Sequence, residues 1–243
     1  MTQKIPERPK PYIEGLVPTL NNRGFMSETL DYYSARFVAY AGDTADEVLD
    51  IGCAYGIATR AALENGARVL ACDMEEGHVR ILERETPAEL RNRLRTEVGV
   101  LPHLDFPDQS FGAILCSRVL HFLLAAEIRM TLEKMYAWTV PGGKVFLIAD
   151  TPYTGFWSSI APDYERRKAD GDEWPAFIED ISTLLQSGQV PDGMLPYLNP
   201  LDPDILRREC TAAGFTVEEA GFTGRGDTPD SRQHAGCIAS RPN

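Results

Sequence analysis

Val48-Leu49-Asp50-Ile51-Gly52-Cys53-Ala54-Tyr55-Gly56 passes from a short apolar run, through a turn of small residues, into a helical pattern over Ile57–Asn65. The apolar run predicts a buried strand. Gly66 stops the helix that follows. Small residues at such a turn let a ligand approach the backbone closely, and ligands of α/β sheets bind beyond the carboxyl ends of the strands. Arg68–Cys72 predicts a second strand ending at Asp73, roughly 20 residues on, where a carboxylate could take both ribose hydroxyls. A nucleoside-containing ligand is implied. Taken alone, the glycines could simply turn the chain, and Asp73 could be a helix N-cap.

The rest of the chain repeats this rhythm. A Pro-rich, aperiodic arm over residues 1–22 precedes a helix near Ser27–Ala41, with Ser27 as N-cap. Residues 76–94 read as a charged surface helix interrupted near Pro87. Strands are expected at Thr96–Leu101, Phe111–Cys116 and Lys144–Ala149, with a helix over Ala125–Thr139 and a turn at Pro141-Gly142-Gly143. Strands alternating with helices predict right-handed βαβ units and a parallel sheet. Residues 151–202 break the alternation with aromatics and prolines, and read as an inserted helical cap. A helix over Pro203–Ala213 and strands at Phe215–Ala220 and His234–Ser240 close the fold. The expectation is one α/β domain, a Rossmann-like, doubly wound, mostly parallel seven-stranded sheet. Residues 1–45 form its cap or lid, 46–150 the cofactor-binding core, 151–202 the inserted substrate cap, and 203–243 the closing helix and strands.

A dinucleotide fold asks for G-x-G-x-x-G. Here those slots hold Gly52, Ala54 and Ile57, so the third glycine fails. The pattern is instead acidic–x–Gly–x–Ala–x–Gly. With it come Asp73-Met74, the loop Leu104-Asp105-Phe106-Pro107-Asp108-Gln109-Ser110-Phe111, then Ser117-Arg118-Val119-Leu120-His121-Phe122 and Val140-Pro141-Gly142-Gly143-Lys144. In this order and spacing, residues 48–150 resemble the class I S-adenosylmethionine-dependent methyltransferases of the small-molecule type. The resemblance implies an enzyme whose cofactor is S-adenosyl-L-methionine and whose product is S-adenosyl-L-homocysteine. It implies that Asp50 lies near the methionine amino group, that Gly52, Ala54 and Gly56 pack against the methionine moiety, and that Cys53 and Ser117 also bind the cofactor. Asp73 would hold the ribose, Met74 the adenine face, and Val100 and Leu101 the adenine edge through their backbone. The chain departs from the family twice. Ala54 replaces the usual middle glycine, tolerable if its φ stays negative. Val100 stands where many relatives carry an acid, so the adenine amino group needs another partner: a backbone carbonyl, Asp105 or His103.

Methyl transfer from a sulfonium needs alignment and dryness more than activation. A general base adds rate when the acceptor carries a proton. Of the histidines, His78, His103, His121 and His234, the best placed is His121. The segment Ser117-Arg118 to His121 is similar to that of amine methyltransferases acting on phosphoethanolamine, whose His pairs with an N-terminal Tyr. His121 and Tyr33 are therefore the candidate catalytic residues, with Tyr12 and Tyr32 as alternatives to Tyr33; His121 could equally pack or cap. Arg118 could bind a substrate anion, hold the methionine carboxylate, or form a plain salt bridge. Tyr12, Tyr153 and Trp157, with Arg118, are the candidate substrate-binding residues.

Composition sets the boundaries. The chain has 243 residues, 24 Lys+Arg and 36 Asp+Glu, for a net charge of −12. That balance argues against a nucleic-acid partner. No apolar h-region opens the sequence, and no apolar stretch approaches the ~20 residues of a membrane helix. The five cysteines form no CxxC pair, so no metal site or disulfide framework is suggested. The expectation is a cytoplasmic monomer or homodimer acting on a small molecule without a metal, nucleic acid or membrane. Oxygen is the expected acceptor atom, hydroxyl or carboxylate. An amine N-methyltransferase is the alternative, and a non-catalytic S-adenosyl-ligand binder the alternative of another class.

Overall fold

The computed structural model describes residues 5–11, 13–155, 157–185, 190, 192–224 and 231–243. The chain opens with a small antiparallel hairpin of β1 (Leu16–Pro18) and β2 (Phe25–Ser27). Then follow α1 (Tyr32–Asp43), β3 (Val48–Ile51), α2 (Ile57–Glu64), β4 (Val69–Asp73), α3 (Glu76–Glu85), β5 (Leu94–Val98), β6 (Phe111–Ser117), α4 (Ala125–Trp138) and β7 (Thr139–Asp150). The inserted segment carries α5 (Ala161–Ala169) and two short 3-10 turns, Ser158–Ile160 and Ile181–Leu184. α6 (Pro203–Ala212), β8 (Thr216–Thr223) and β9 (His234–Ser240) complete the chain.

One seven-stranded sheet runs in the order β5-β4-β3-β6-β7-β9-β8. β3 to β7 are mutually parallel, and β9 lies antiparallel between β7 and β8. The expected α/β architecture is therefore present. The order reverses at β3, whose neighbours are β4 and β6. That switch point opens a crevice at the carboxyl ends of the strands. β3, β4 and β6 are buried almost throughout, as is Val145–Ala149 of β7, as strands covered on both faces require. On one face Phe37 and Ala41 of α1 join Ala58, Ala62 and Leu63 of α2 against Val48, Leu115 and Phe146. On the other, Ile128, Leu132 and Met135 of α4 join Ile205 and Leu206 of α6. All five cysteines are buried free thiols. No helix among the described residues is long and apolar enough to cross a membrane.

The N-terminal region departs from the sequence reading. Residues 16–27 form the hairpin instead of an aperiodic arm. α1 begins at Tyr32 under an Asp31 cap, whose Oδ1 accepts from the Ser34 amide at 2.9 Å. Ser27, the expected cap, donates its hydroxyl to the Thr29 carbonyl instead. The third core strand also lies earlier than expected, at Leu94–Val98. Gly99, Val100 and Leu101 are thereby released into the turn beyond its carboxyl end.

Candidate functional site

Above the crevice lies a cavity of about 730 Å³, large within the ~300–1,000 Å³ of small-molecule sites. One end is built by the turn after β3. Gly52 takes φ 74°, and a Cβ there would stand 2.3 Å from Val119 Cγ2; only glycine meets both conditions. Ala54 also takes positive φ, 46°. The condition placed on it by the sequence fails: the alanine adopts the backbone of the glycine it replaces, at a cost of about 1–2 kcal/mol. Its amide donates to Asp73 Oδ2 at 2.8 Å, and this bond holds the turn open. Gly52, Cys53 and Ala54 line the cavity. Gly56 does not: it starts α2 against Leu82, where a Cβ would come within 2.2 Å of Leu82 Cδ1.

Asp73, at the end of β4, is a shared acceptor. Besides Ala54, it accepts from the Glu75 amide at 2.9 Å and faces His78 Nδ1 at 3.0 Å. A carboxylate offers about four lone-pair positions, and three are engaged. One lone-pair position of Asp73 is therefore left for a ligand. Beside it, Met74 and Val100 are 38% and 41% exposed. They are the large apolar side chains that line the cavity and yet remain open to solvent, as a planar base between them requires. Gly99, Val100 and Leu101 line this end with them, whereas Asp105 and His103 lie outside.

Asp50 is 3% exposed at the floor of the cavity. Burial pushes its carboxyl up to about 6, against the hydroxyl of Thr59, which donates to Oδ2 at 2.6 Å. A cation placed beside it would keep it ionised. The lining holds buried carboxylates at Asp31, Asp50 and Asp73 and one largely buried guanidinium, Arg118. This sign of charge suits a ligand carrying both an ammonium and a sulfonium.

The other end is formed by the loop after β6, the end of β7 and the start of β9. Ser117, Arg118 and His121 line it, as expected, with Asp150 and His234. Arg118 takes φ 57° and donates to Asp31 Oδ2 at 3.2 Å. Of its alternatives, the salt bridge is the one present. His121 is 2% exposed, and burial lowers its pKa, opposed by Asp150. Its Nδ1 accepts from the Asp150 amide at 3.1 Å, so its proton sits on Nε2, 3.9 Å from Asp150 Oδ2. The neutral ring thus has no lone pair free, and the geometry does not place it as a base. Asp150 Oδ1 in turn lies 3.1 Å from His234 Nδ1. Burial raises the Asp150 carboxyl, but His121, the His234 hydrogen bond and Arg118 outweigh it and hold it well below the usual carboxylate range.

Tyr33, expected as a catalytic partner, lies behind the cavity wall. It is 2% exposed, its ring fills the space above Gly236, and burial, then Glu219, push its phenol well up. Tyr32 faces outward, its hydroxyl beside Glu219. Of the substrate-binding candidates, Trp157 lines the cavity. Tyr153 does not: its hydroxyl donates to Glu165 under the Arg232 guanidinium. Tyr12 lies outside the described residues. The sequence reading missed Asp31, Asp150 and the hairpin, and passed over His234. The signals were available: Asp150 ends a strand, and a closing strand that runs antiparallel brings its first residue, His234, beside it.

Residues 48–143 match the family described as methyltransferase domain. That stretch is a methyltransferase domain, and the fold around it is one that S-adenosylmethionine-dependent methyltransferases share. The chain is 29% identical over 112 residues to the demethylmenaquinone methyltransferase of Thermobifida fusca (strain YX), covering 45% of this chain and 44% of that protein. The chain thus spans less than half the length of the curated relatives it matches. A methyltransferase structure from Methanosarcina mazei shares the fold with a TM-score of 0.62 at 17% identity, over 88% of this chain and 99% of that one. So does the 1,6-didemethyltoxoflavin-N1-methyltransferase of Burkholderia thailandensis, solved with 1,6-didemethyltoxoflavin and S-adenosylhomocysteine. There the TM-score is 0.58 at 19% identity, covering 87% and 77% of the two chains.

Proposed function

We propose that the chain transfers the methyl group of S-adenosylmethionine to oxygen on a small organic acceptor. The observation that carries this reading is the continuity of the cavity. It runs from Met74 and Val100, past Gly52 and Asp50, to Asp150 and the apolar wall of Phe122, Trp157 and Tyr197. One end fits a nucleoside and the other an apolar molecule, with a strand-edge carboxylate between them. The bound cofactor supplies an activated methyl group. The chain's own residues do the rest: Asp73 and the turn fix the nucleoside, Asp50 faces the ammonium, and the apolar wall excludes water. Residues 1–45 act as lid and 151–202 as substrate cap. In support, Leu16, Phe25 and Met26 line the cavity from one side and Trp157 and Tyr197 from the other, and Arg23 Nε reaches the Gly193 carbonyl at 3.1 Å. The relatives' names, demethylmenaquinone methyltransferase and 1,6-didemethyltoxoflavin-N1-methyltransferase, agree with a small organic acceptor; the second names nitrogen, so the oxygen rests on the site alone. The same reading makes it a cytoplasmic monomer or homodimer without nucleic-acid or membrane partners.

Calorimetry with S-adenosylhomocysteine tests it, with NADH as control. Micromolar binding, absent for NADH and weakened ~10–100-fold in Asp73→Ala, is expected from loss of a charged hydrogen bond. Absence of binding refutes the reading. Binding with no methyl transfer to any acceptor makes the chain a non-catalytic ligand binder.

A further inference from the structure

Four buried side-chain polar atoms among the described residues have no hydrogen-bond partner: Thr131 Oγ1, Trp174 Nε1, Asn199 Oδ1 and His234 Nε2. Of their residues, only His234 lines the cavity. An orphaned buried acceptor costs about 1–3 kcal/mol, and in a native site it points to an absent partner. The state of the ring follows from its other nitrogen. Nδ1 lies 3.1 Å from Asp150 Oδ1, and a carboxylate only accepts, so Nδ1 carries the proton and Nε2 the bare lone pair. An imidazole fixed in this tautomer by a half-buried carboxylate is the arrangement that lets histidine receive a substrate proton. His121 cannot do the same, since the Asp150 amide already occupies its lone pair.

We propose that His234 is the catalytic base of this site, taking through Nε2 the proton of a hydroxyl acceptor, with Asp150 as its positioning residue. This rests on the methyl-transfer reading above and narrows it: the substrate is an alcohol or phenol, not a carboxylate. In the step, the acceptor O–C bond forms as the C–S bond of the sulfonium breaks, and that electron pair stays on sulfur as a neutral thioether. The acceptor O–H bond breaks, its electron pair remains on oxygen, and its proton goes to Nε2. The resulting imidazolium faces the Asp150 carboxylate and later releases the proton to water. A carboxylate substrate has no proton to give and would leave Nε2 orphaned. The charged and titratable groups around His234 are Asp150 from β7, His121 and Arg118 from the loop after β6, and Tyr33 from α1, which packs on Gly236 two residues along β9.

The test compares wild type with His234→Ala and His234→Gln, the second retaining bulk in case the first does not fold. Three readouts are used: S-adenosylhomocysteine binding, methylation of catechol, 1-naphthol and benzoate across pH, and the histidine tautomers from long-range 1H–15N NMR. The expected result is unchanged binding, hydroxyl methylation slowed about 10²–10⁴-fold, loss of the acid limb of kcat/KM, and partial rescue of His234→Ala by added imidazole. His234 should carry its proton on Nδ1. Hydroxyl methylation within a few-fold of wild type with the acid limb kept, benzoate as the sole acceptor, or a proton on Nε2 overturns the proposal. So does a wild type that binds S-adenosylhomocysteine and methylates neither catechol nor 1-naphthol. A wild type that fails to bind S-adenosylhomocysteine instead overturns the reading on which the proposal rests.

Discussion

His78 holds Asp73 from behind: its Nδ1 lies 3.0 Å from Asp73 Oδ1, while its Nε2 accepts the Leu20 amide at 2.9 Å. One imidazole therefore ties the Asp73 carboxylate to the N-terminal hairpin. His78→Ala strands both partners, a loss of about 1–3 kcal/mol. The expected outcome is a Tm lower by several degrees, weaker S-adenosylhomocysteine binding, and faster amide exchange over residues 16–27. Hydrogen exchange with mass spectrometry reads the last directly. An unchanged exchange rate there means that the hairpin is held by other contacts.

Asp50 sets a stability cost against binding. Its folded pKa is raised to about 6 from 3.8. The native state thus binds more protons than the unfolded one between those values, and stability falls as pH rises through that window. At neutral pH the cost is on the order of 3 kcal/mol. Asp50→Asn keeps an oxygen for Thr59 and should raise Tm at pH 7 but not at pH 3.5. The same change should weaken cofactor binding. In wild type, affinity should fall as pH drops through 6, because the ammonium partner is lost. Differential scanning fluorimetry and calorimetry across pH follow both effects.

Ala54→Gly should stabilise the protein by up to about 1 kcal/mol, since glycine adopts positive φ without the Cβ penalty. For a chain of this size that is roughly 2–4 °C in Tm. Ala54→Val should cost more than it relieves. A neutral or destabilising Ala54→Gly, read by thermal melts, would show that the Cβ packs usefully in the turn.

Tyr33 separates packing from chemistry. Its hydroxyl is 3.5 Å from the Gly221 carbonyl, the limit of a hydrogen bond. Tyr33→Phe should change stability by less than about 1 kcal/mol and leave methyl transfer within a few-fold. Gly236→Ala should be severe, because a Cβ there would meet the Tyr33 ring at 2.0 Å. A Tyr33→Phe enzyme with intact cofactor binding but lost turnover would return Tyr33 to the chemistry.

The sheet was legible in the sequence because its strands are apolar runs punctuated by glycine, and these are local signals. Asp50, Gly52 and Asp73, which line one end of the cavity, were legible for the same reason: they mark the ends of adjacent strands. The other end was not. His234 lies 84 residues from Asp150, and their pairing depends on β9 inserting antiparallel between β7 and β8, which no local pattern announces. His121 stood out because it follows a motif, yet its ring is committed to a backbone amide. The cap of α1 was misplaced for a similar reason. Ser27 and Asp31 are both good caps by residue type, and the hairpin settles the choice by consuming Ser27 as part of β2.

Asp31 belongs to two structures at once. It caps α1 through the Ser34 amide, and its other oxygen receives both the Ser34 hydroxyl and the Arg118 guanidinium. Any acceptor that recruits Arg118 draws a counter-ion away from the first turn of that helix. Occupancy at the far end of the cavity would then be felt at the amino end of α1, a helix that directly follows the β1–β2 hairpin. Filling the site and latching its cover would be two readings of a single carboxylate.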